Sequence, residues 1–584
     1  MKSLTKTLLI GTYLGGILST HAQEQGYRDI APKPVPPVAP GSVTPPPAPP
    51  TAAKDNRLVL PDLKALVFLA TPMEVDHSGT KAVEPVVVTS KLDVPDPAAF
   101  RAMVTPYIGK PLTHGQLNEL INSVILYYRK NDRPIVDVIV PVQKITNGII
   151  QIVVLEGKVG TVTVTGNRWF PSNTIRNSMS VQPGDKIRAS QIQSDLDWAN
   201  QNPFHSSDLV YQPGAKLGET NLVLQTKDRF PARFYAGYEN TGNSSTGFDR
   251  YLVGMNWGDA FALGLNQQLN YQFTTSGDFN SLRAHTGSYL IPLPWKHNLT
   301  FFGSYAETQG SVPPLIGLNG TSYQVSGRYD VPLPLVTFPN VLTYKQTVGA
   351  GFDHKYNDNS LLFGGVPLPD TLYDVNQFVI TYNGAETDAY GQTTISNQFY
   401  LSPGDWGANN DNAAFNMAHT GATANYLYNT LVLERMTKLP QDFSLILRGT
   451  VQISSANLAP SEQLGYGGYD TVRGYDQREV NSDEGFIFTT EVRSPSMSIG
   501  KLFNWQGYND QLQLLTFWDY GSASNHTVLP GESTEIGMSG IGFGVRYNIN
   551  TYLSFRYDLG FQLTSTGLDN DHGKRSDIGL VLSY

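Results

Sequence analysis

Two short motifs carry the side chains that could do chemistry together, one arginine and one aspartate. The first is a loop tetrapeptide, Val472, Arg473, Gly474 and Tyr475. The second is a set of alternating strand positions, Phe517, Asp519 and Gly521. The tetrapeptide follows a stretch too rich in glycine for a regular element, whereas the alternating positions share one face of a predicted strand. A guanidinium and a carboxylate that meet away from water pair bidentately, so the chemistry that these two side chains could do together is to form a structural ion pair.

The strand around Asp519 must direct this carboxylate into an interior. From Gln511 to Gly521, bulky apolar and aromatic side chains occupy the other parity, among them Trp518 and Tyr520. These aromatic residues suit a lipid-facing side, which leaves Asp519 pointing inward. The alternative is an ordinary external loop with a solvated arginine and an incidental aspartate.

No pattern in the sequence predicts catalysis or a resident cofactor. The ten histidines are scattered, and the chain contains no H-E-x-x-H, G-x-S-x-G or phosphate-loop motif. There is no cysteine, so disulfides and thiolate metal sites are excluded. The formal net charge of −9 argues against a nucleic-acid-binding protein, which needs a concentrated basic face. We therefore predict a protein that is not an enzyme, with no catalytic residue, metal or cofactor.

The first 57 residues are predicted to lie outside any folded domain. Residues 1–22 have the basic and apolar regions of a signal peptide, followed by a cleavage site after Ala22. Residues 23–57 are read as a proline-rich linker that cannot pack a core. Only Gln23 to about Ile30 precede the proline-rich tract, and this stretch is too short for a stable isolated helix. The sequence therefore predicts no helix before this tract.

Residues 58–157 are predicted to form a first small α+β domain. Asp96-Pro97 marks the start of one helix, and Thr113 with Gln116 forms a capping box for a second. In the second helix, apolar residues between Leu117 and Val124 recur at helical spacing and are interpreted as domain core. Strands are expected at 135–142 and 148–155.

Residues 158–230 are predicted to form a second, smaller α+β domain. Alternation from Val159 onward marks a strand, and Ser172 and Ser190 are predicted to cap two helices. A strand at 222–224 closes this domain.

Residues 231–584 change to repeated two-residue alternation, with no convincing helix. The strands run about 10 residues, which is the length that a tilted transmembrane strand needs and longer than the soluble average of about 5–6. At about 20–22 residues for each strand with its connection, ~16 strands fit. The predicted fold class is thus an all-β transmembrane barrel of about 16 antiparallel strands, preceded by the two α+β domains.

Several segments resemble the two-partner secretion transporters of the TpsB type. These are the loop and strand motifs above, the run Val140-Pro141-Val142-Gln143 with Glu156-Gly157, and the first-hairpin sequence Tyr238-Glu239-Asn240-Thr241-Gly242. The chain is in this respect similar to the haemolysin secretion/activation and filamentous-haemagglutinin transporters of the POTRA-plus-barrel superfamily. The resemblance implies that the two small domains are POTRA domains, that the loop enters the barrel lumen, and that Arg473 meets Asp519. The alternating C-terminal segment ending at Tyr584 resembles the insertion signal of outer-membrane barrels.

The function implied by this resemblance is two-partner (type V) secretion. The expected location is the bacterial outer membrane, with the POTRA domains in the periplasm. The expected partners are a secreted TpsA-like exoprotein, outer-membrane lipid and the barrel-assembly machinery. The alternative within the superfamily is an outer-membrane protein insertase, which shares the ion pair of Arg473 and Asp519. A passive porin is disfavoured, because it has no use for two periplasmic domains.

Overall fold

The computed structural model describes the residue ranges 25–36, 41–47, 55–82, 84–145, 147–312, 316–338, 342–363, 366–367, 371–503, 509–530, 533–567 and 573–584. The predicted signal peptide, residues 1–22, lies outside these ranges. The chain divides into two compact units. The α+β unit is Ala39–Arg229, and the barrel unit comprises Met1–Val38 and Phe230–Tyr584. The first element of the chain, helix α1 (Gln25–Ile30), belongs to the barrel unit. Among the described residues, no helix is both long and apolar enough to cross a membrane.

The first half of the α+β unit packs two helices on a four-stranded sheet. Its elements are β1 (Leu58–Leu60), β2 (Ala65–Leu69), β3 (Val86–Val88), α2 (Pro97–Val104), β4 (Leu112–Thr113), α3 (His114–Lys130), β5 (Val136–Ile139) and β6 (Ile149–Glu156). The sheet order is β3-β2-β6-β5, and β1 pairs separately with β4. Both predicted helix starts are confirmed, because Asp96 accepts two backbone N–H groups and Thr113 with Gln116 forms the capping box. Leu120 and Val124 are fully buried, so the apolar face of α3 is domain core as predicted.

The second half of the α+β unit has a three-stranded sheet of order β7-β9-β8. Its elements are β7 (Lys158–Thr165), α4 (Ser172–Arg176), α5 (Ala189–Ala199), β8 (His205–Pro213) and β9 (Glu219–Asp228). The predicted helix caps are wrong, because neither helix has a side-chain cap at its N-cap position. At α5, Ser190 donates its backbone N–H and hydroxyl to Asp132, each at 2.7 Å. A carboxylate from outside the segment thus replaces the local serine as acceptor for the first turn.

The barrel unit is a closed antiparallel barrel, which confirms the predicted fold class. Its strands are β10 (Ala232–Glu239), β11 (Arg250–Trp257), β12 (Gln268–Ser276), β13 (Leu282–Pro292), β14 (Asn298–Val312), β15 (Ile316–Pro332), β16 (Val336–Phe338), β17 (Leu342–Phe363), β18 (Val366–Pro367), β19 (Thr371–Asp388), β20 (Gly391–Pro403), β21 (Asn425–Lys438), β22 (Ser444–Ser454), β25 (Glu484–Arg493), β26 (Asp510–Ser524), β27 (Ile536–Ile549), β28 (Leu553–Gln562) and β29 (Lys574–Ser583). The short strands β16 and β18 pair only with β17, which leaves 16 strands in the wall. The barrel closes where β10 pairs with β29, from Tyr235 opposite Ser583 to Glu239 opposite Gly579.

Three further features of the barrel unit interrupt this regular wall. A hairpin of β23 (Leu464–Tyr466) and β24 (Val480–Ser482) lies between β22 and β25. Two helices, α6 (Asn412–Ala418) and α7 (Ile499–Leu502), occur where the sequence predicted none. They are seven and four residues long, too short for a helical period to stand out from the flanking strands. Tertiary packing holds α6, since Phe415 is fully buried in an apolar cluster.

Side chains alternate between the two faces of the barrel wall as the sequence pattern predicts. On β26, Asp519 is fully buried, whereas its neighbour Trp518 is 41% exposed. The outward face is apolar and the inward face carries charged and amide side chains. This alternation is the pattern of a transmembrane barrel, whose lumen is lined by polar side chains.

Candidate functional site

The candidate site is the barrel interior around one long connection, which we call the lumen loop (residues 455–483). It joins β22 to β25 and contains the β23–β24 hairpin. The predicted motif lies in this loop with Val472, Arg473 and Tyr475 all buried. Val472 and Tyr475 belong to an apolar cluster with Ile487 of β25 and Met538 of β27. The loop is therefore packed against the inner wall and not solvated outside it.

Arg473 and Asp519 are in direct contact. The Arg473 Nε donates to Asp519 Oδ2 at 2.7 Å, and its Nη2 donates to Oδ1 at 2.9 Å. The backbone N–H of Arg473 also donates to Oδ2, at 3.1 Å. Three hydrogen bonds from one residue thus hold both oxygens of one carboxylate, which fixes the loop backbone as well as the side chain.

Three more groups complete the surroundings of the Arg473 guanidinium. Its Cζ lies 3.5 Å from the ring centroid of Phe517, the predicted inward neighbour of Asp519. Its Nη1 donates to Glu491 Oε2 at 2.8 Å and lies 3.8 Å from Asp558 Oδ1. Glu491 and Asp558 are not among the site residues predicted from the sequence. Both are charged residues at inward positions of barrel strands, which the sequence shows, but nothing in their spacing indicates that they approach Arg473.

Two further arginines balance these acidic groups. Arg493 Nε lies 2.5 Å from Glu491 Oε1, and Arg546 Nη1 lies 2.9 Å from Asp558 Oδ1. Three guanidinium groups therefore face three carboxylates on the inner wall. A near-neutral cluster of this kind avoids the large cost of burying a lone charge.

Glycines on the barrel wall let the loop backbone approach closely. A Cβ on Gly540 would lie 2.0 Å from the carbonyl oxygen of Arg473, and one on Gly560 would lie 2.4 Å from the nitrogen of Gly474. Gly474 itself has φ +106°, a left-handed conformation that favours glycine. At Gly521, the predicted member of the strand motif, a Cβ would lie 3.0 Å from Val472 Cγ2. Because these glycines have no side chain, the wall has the space that the loop backbone fills.

Tyr475 ties the end of the motif to two more barrel segments. Its hydroxyl oxygen lies 2.9 Å from the carbonyl oxygen of Ser539 and 2.5 Å from that of Thr564. The Ser539 N–H donates to the same hydroxyl at 3.1 Å. All four residues of the predicted tetrapeptide are thus engaged with the wall.

The lumen loop has a second charged anchor that the sequence analysis did not identify. Glu462 is 4% exposed and accepts from Lys355 Nζ at 2.6 Å. It also accepts from Gln377 Nε2 at 3.0 Å and from the Tyr428 hydroxyl at 2.9 Å. These partners lie on β17, β19 and β21, whereas the partners of Arg473 lie on β25, β26 and β28. The loop is therefore fastened to two separate parts of the wall.

The N-terminal helix corrects the expectation that no helix precedes the proline-rich tract. Helix α1 has only six residues, and the barrel wall supplies what an isolated helix of this length lacks. The Ile30 carbonyl accepts from Gln272 Nε2 at 3.1 Å and from Thr286 Oγ1 at 2.8 Å. Tyr27, 2% exposed, donates its hydroxyl to the Gly287 carbonyl at 3.0 Å and packs on Phe302. Contacts with the wall, and not helix propensity, hold this segment.

Glu239 connects the N-terminal segment with the lumen loop. Lys33 Nζ donates to Glu239 Oε2 at 2.9 Å. Arg556 lies 4.0 Å from the other oxygen, and its Cζ lies 3.6 Å from the ring centroid of Tyr469 in the lumen loop. The Glu239 carboxylate on the first barrel strand thus contacts Lys33, which belongs to the N-terminal segment, and approaches Arg556, which packs on the lumen loop.

Tyr584, the predicted insertion signal, extends the last strand by one residue pair. Its N–H donates to the Phe234 carbonyl at 2.9 Å, and its own carbonyl accepts from the Phe234 N–H at 3.1 Å. The side chain is 94% exposed.

Within the described part of the chain, no group of three His, Asp or Glu side chains is arranged to hold a metal ion.

Two family profiles match this chain. The profile described as haemolysin secretion/activation protein ShlB/FhaC/HecB matches residues 218–547, which is more than half of the sequence. The profile of the POTRA domain of ShlB type matches residues 86–157.

Known proteins resemble the chain over most of its length. The heme/hemopexin transporter protein HuxB of Haemophilus influenzae is 20% identical over 446 residues, covering 75% of this chain and 77% of HuxB. The outer membrane transporter CdiB of Dickeya dadantii (strain 3937) is 21% identical over 480 residues, covering 79% of each chain. The structure of CdiB from Escherichia coli has a TM-score of 0.72 at 16% identity, covering 98% of both chains. CdiB from Acinetobacter baumannii gives 0.63 at 14% identity, covering 96% of both chains. These structures share the fold.

Proposed function

Given that this chain belongs to the haemolysin secretion/activation protein family ShlB/FhaC/HecB, we propose that it binds one unfolded exoprotein in the periplasm and passes it through its own barrel. The chain is an outer-membrane transporter of two-partner secretion, with its POTRA region in the periplasm. The exoprotein is TpsA-like in this proposal, and the small α+β domains bind it before the barrel does. Extended segments bind such domains by adding a strand to an exposed sheet edge, which demands no particular sequence.

The observation that best supports this proposal is that two segments of the chain occupy the barrel lumen. The N-terminal segment and the lumen loop lie on the inner wall and are held there by hydrogen bonds and ion pairs to inward side chains. A polar closure of this kind can be exchanged for contacts with another polypeptide, because the net free energy of each hydrogen bond is only about 0.5–1.5 kcal/mol. We infer that the resting barrel is closed by these two segments and opens when they move.

The proposal includes no catalytic step and no bound cofactor. Net movement outward follows from folding of the exoprotein outside the cell, which makes return unfavourable. The remaining proposed partners act on the transporter itself. Outer-membrane lipid surrounds the apolar outer wall, and the barrel-assembly machinery reads the C-terminal segment ending at Tyr584. A signal peptide in residues 1–22 directs export of the chain to the periplasm.

A comparison of culture supernatants tests the proposed function. Cells with and without this gene are compared by mass spectrometry of the medium and of the membrane fraction. Loss of one large polypeptide from the medium, restored by a plasmid copy, is the expected result. An unchanged medium with depleted barrel proteins in the membrane would contradict export and favour the insertase.

The role of Arg473 is tested by Arg473→Ala in the same complementation experiment. Removing one partner of a buried, hydrogen-bonded ion pair costs about 3–5 kcal/mol, so the loop should loosen at this contact while the barrel remains folded. We expect reduced export with normal amounts of the protein in the outer membrane. The matched control is Arg435→Ala, because Arg435 pairs with Asp388 at 2.9 Å but both side chains are partly exposed. Full export by the Arg473 variant would show that the ion pair is dispensable.

A further inference from the structure

The loop that follows β7, which we call the β7 tip (residues 167–171), lies at the end of the second sheet where the chain leaves the α+β unit. Strands β7 and β9 pair in parallel, with Thr165 opposite Gln225, so their carboxyl ends lie side by side. Strand β9 ends at Asp228, and the first barrel strand, β10, begins at Ala232. Four peptide units span at most about 14 Å. The chain therefore reaches the first barrel strand within this distance of the sheet end that carries the β7 tip.

One carboxylate holds the β7 tip in a fixed shape. The Asp228 side chain accepts hydrogen bonds from three successive backbone N–H groups. They belong to Arg168, Trp169 and Phe170, at 2.9, 2.6 and 2.9 Å. Phe170 is buried, whereas Trp169 is 42% exposed. Because these three N–H groups are already bonded, an extended polypeptide cannot add to the tip by pairing with them.

The side chains of the β7 tip combine an aromatic ring with positive charge. Arg168 Cζ lies 4.7 Å from the ring centroid of Trp169, and both side chains are exposed. Lys227, next to Asp228 in β9, adds a second exposed cation at the same end of the sheet. Among the described residues, neither cation has a carboxylate within ion-pair distance. An exposed tryptophan beside such cations is the combination with which proteins bind the interface of an anionic membrane.

Aromatic residues at the end of the barrel where β10 begins indicate the level of the membrane interface. Ala232 is paired with Trp257, and the turn before β14 carries Trp295, which is 59% exposed. The Trp295 Nε1–H donates to the Tyr329 hydroxyl at 3.0 Å. Girdles of this kind lie at the boundary between lipid tails and headgroups. The first residue of β10 is therefore expected at the headgroup layer on the periplasmic side.

We propose that the β7 tip binds the periplasmic leaflet of the outer membrane. The Trp169 ring lies among the lipid headgroups, and Arg168 and Lys227 contact the phosphate groups of anionic phospholipids. This inference goes beyond the proposed function, because the ligand is a lipid and not the exported polypeptide. The contact holds this end of the second sheet against the membrane surface.

A fluorescent label beside the tip tests this inference in the full-length protein. The chain has no cysteine, so Asn173→Cys at the start of α4 provides one site for a thiol-reactive fluorophore. The matched control is Leu217→Cys, because Leu217 is 70% exposed near the opposite end of the same sheet. Each protein is reconstituted in vesicles of phosphatidylcholine and phosphatidylglycerol, in which some lipids carry a nitroxide on the headgroup. Quenching of the label then reports contact with the headgroup layer.

We expect quenching of the label at position 173 and none at position 217. Trp169→Ala should abolish the quenching, whereas Trp169→Tyr, which keeps an aromatic ring with a polar group, should retain it. Arg168→Gln should lower the ratio of membrane-bound to free tips about fivefold, which is the effect of one cation near an anionic surface. In vesicles of phosphatidylcholine alone, Arg168→Gln should leave this ratio unchanged.

An unquenched label at position 173 would overturn the inference. Equal quenching at both positions would also overturn it, because the whole unit would then lie on the vesicle without a specific tip. Hydrogen exchange of β7 and β9 that matches the wild type shows that the Trp169→Ala variant is folded. Arg168→Gln leaves Trp169 and the backbone bonds to Asp228 in place, so an unchanged ratio in anionic vesicles would exclude an anionic phospholipid as the ligand.

Discussion

At Gly540 the backbone of the barrel wall lies so close to the lumen loop that a side chain at this position would not fit. The carbonyl oxygen of Arg473 occupies the volume that a Cβ on residue 540 would need. On the adjacent strand, the nitrogen of Gly474 likewise occupies the volume that a Cβ on Gly560 would need. The ion pair of Arg473 and Asp519 therefore depends on residues that carry no functional group. These glycines contribute by allowing the loop backbone to lie in contact with the backbone of the barrel wall.

We predict that Gly540→Ala displaces the lumen loop without unfolding the barrel. The added methyl group meets backbone, which cannot rotate away, so the contact between Arg473 and Asp519 should lengthen or break. Protease cleavage within residues 455–483 in intact cells should increase, and export should fall. The matched control is Gly449→Ala on β22, where a Cβ would meet no atom within 4 Å. Equal protease resistance of the two variants would contradict this account of the glycine.

In the α+β unit, an ion-pair cluster joins the two sheets and should respond to acid. Asp93 Oδ2 lies 3.0 Å from both Lys186 Nζ and Arg133 Nη2. Glu156 contacts the same two cations, Arg133 Nη1 at 2.5 Å and Lys186 Nζ at 3.1 Å. The hydrogen bond from Lys186, aided by the charge of Arg133, lowers the pKa of Asp93 below its usual value. Because the folded-state pKa is lowered, this carboxylate stabilises the fold above its unfolded pKa of about 3.9 and ceases to do so as the pH falls through the folded value.

Asp93→Asn should therefore weaken the unit at neutral pH and have no effect in strong acid. Asp93 is about half exposed, with a side chain that is 48% accessible, so solvent screens the interaction. We expect at most about a fivefold loss of hydrogen-exchange protection in α5 at pH 7, which corresponds to about 1 kcal/mol. The difference between wild type and variant, corrected for intrinsic exchange rates, should close below pH ~3.9. A difference that is constant with pH would exclude an electrostatic cause.

What the sequence predicts at the residue scale depends on whether the partners share an element. The inward direction of Phe517 and Asp519 follows from the two-residue period of one strand, and the structure has that direction. Glu491 and Asp558 lie on other strands, so their approach to Arg473 depends on the register of the closed barrel. Periodicity within a strand contains no information about register between strands. Only the family resemblance indicated which loop would meet which strand.

At the scale of elements, the lumen loop is anchored to the barrel wall at two separate points. Arg473 is bound by one part of the wall and Glu462 by another. Two contacts that restrain one segment should not act independently, because release of either leaves the other to hold the loop near its place. The loop is thus protected against accidental opening by the loss of a single contact.

We predict that Glu462→Gln raises the frequency of pore openings, and that adding Arg473→Ala raises it by more than the sum of the two single effects. The Gln side chain keeps the size of Glu462 but loses the charge that pairs with Lys355. Single-channel recordings in planar bilayers measure the openings. The matched control is Glu434→Gln, because Glu434 pairs with Arg448 on the neighbouring wall strand and not with the loop. If the effects of the two loop substitutions on the opening frequency are additive, the two anchoring contacts act independently and the prediction is wrong.

Local sequence rules failed where a distant segment supplied the missing group. Ser190 was a reasonable candidate for a helix cap by its type and position, but Asp132 from another part of the unit accepts the hydrogen bonds. Helix α1 is too short to form by propensity, and barrel side chains such as Gln272 bind its last carbonyl. The two capping motifs that the sequence predicted correctly, at Asp96 and Thr113, are the ones whose partners lie within three residues.

At the scale of the whole molecule, the last strand closes the barrel wall. Strand β29 pairs with β10 to close the wall, and Tyr584 adds one more pair beyond its end. We predict that deletion of Tyr584 lowers the amount of protein in the outer membrane, whereas Tyr584→Phe, which keeps the aromatic ring, inserts normally. Quantitative immunoblots of membrane fractions measure both. Normal membrane levels after deletion would show that the C-terminal aromatic residue is not read as a signal.

The amide and hydroxyl groups on the inner wall also affect how fast a polypeptide can travel. Gln377, Tyr428 and Gln272 bond the resting segments through groups that match any peptide backbone. A chain in transit presents the same donors and acceptors at every residue, so each forward step trades one bond for an equivalent one. Along these groups we therefore expect a nearly level energy profile, with little preference for the sequence of the chain in transit. A wall lined with apolar side chains would instead retain apolar stretches of its cargo and stall.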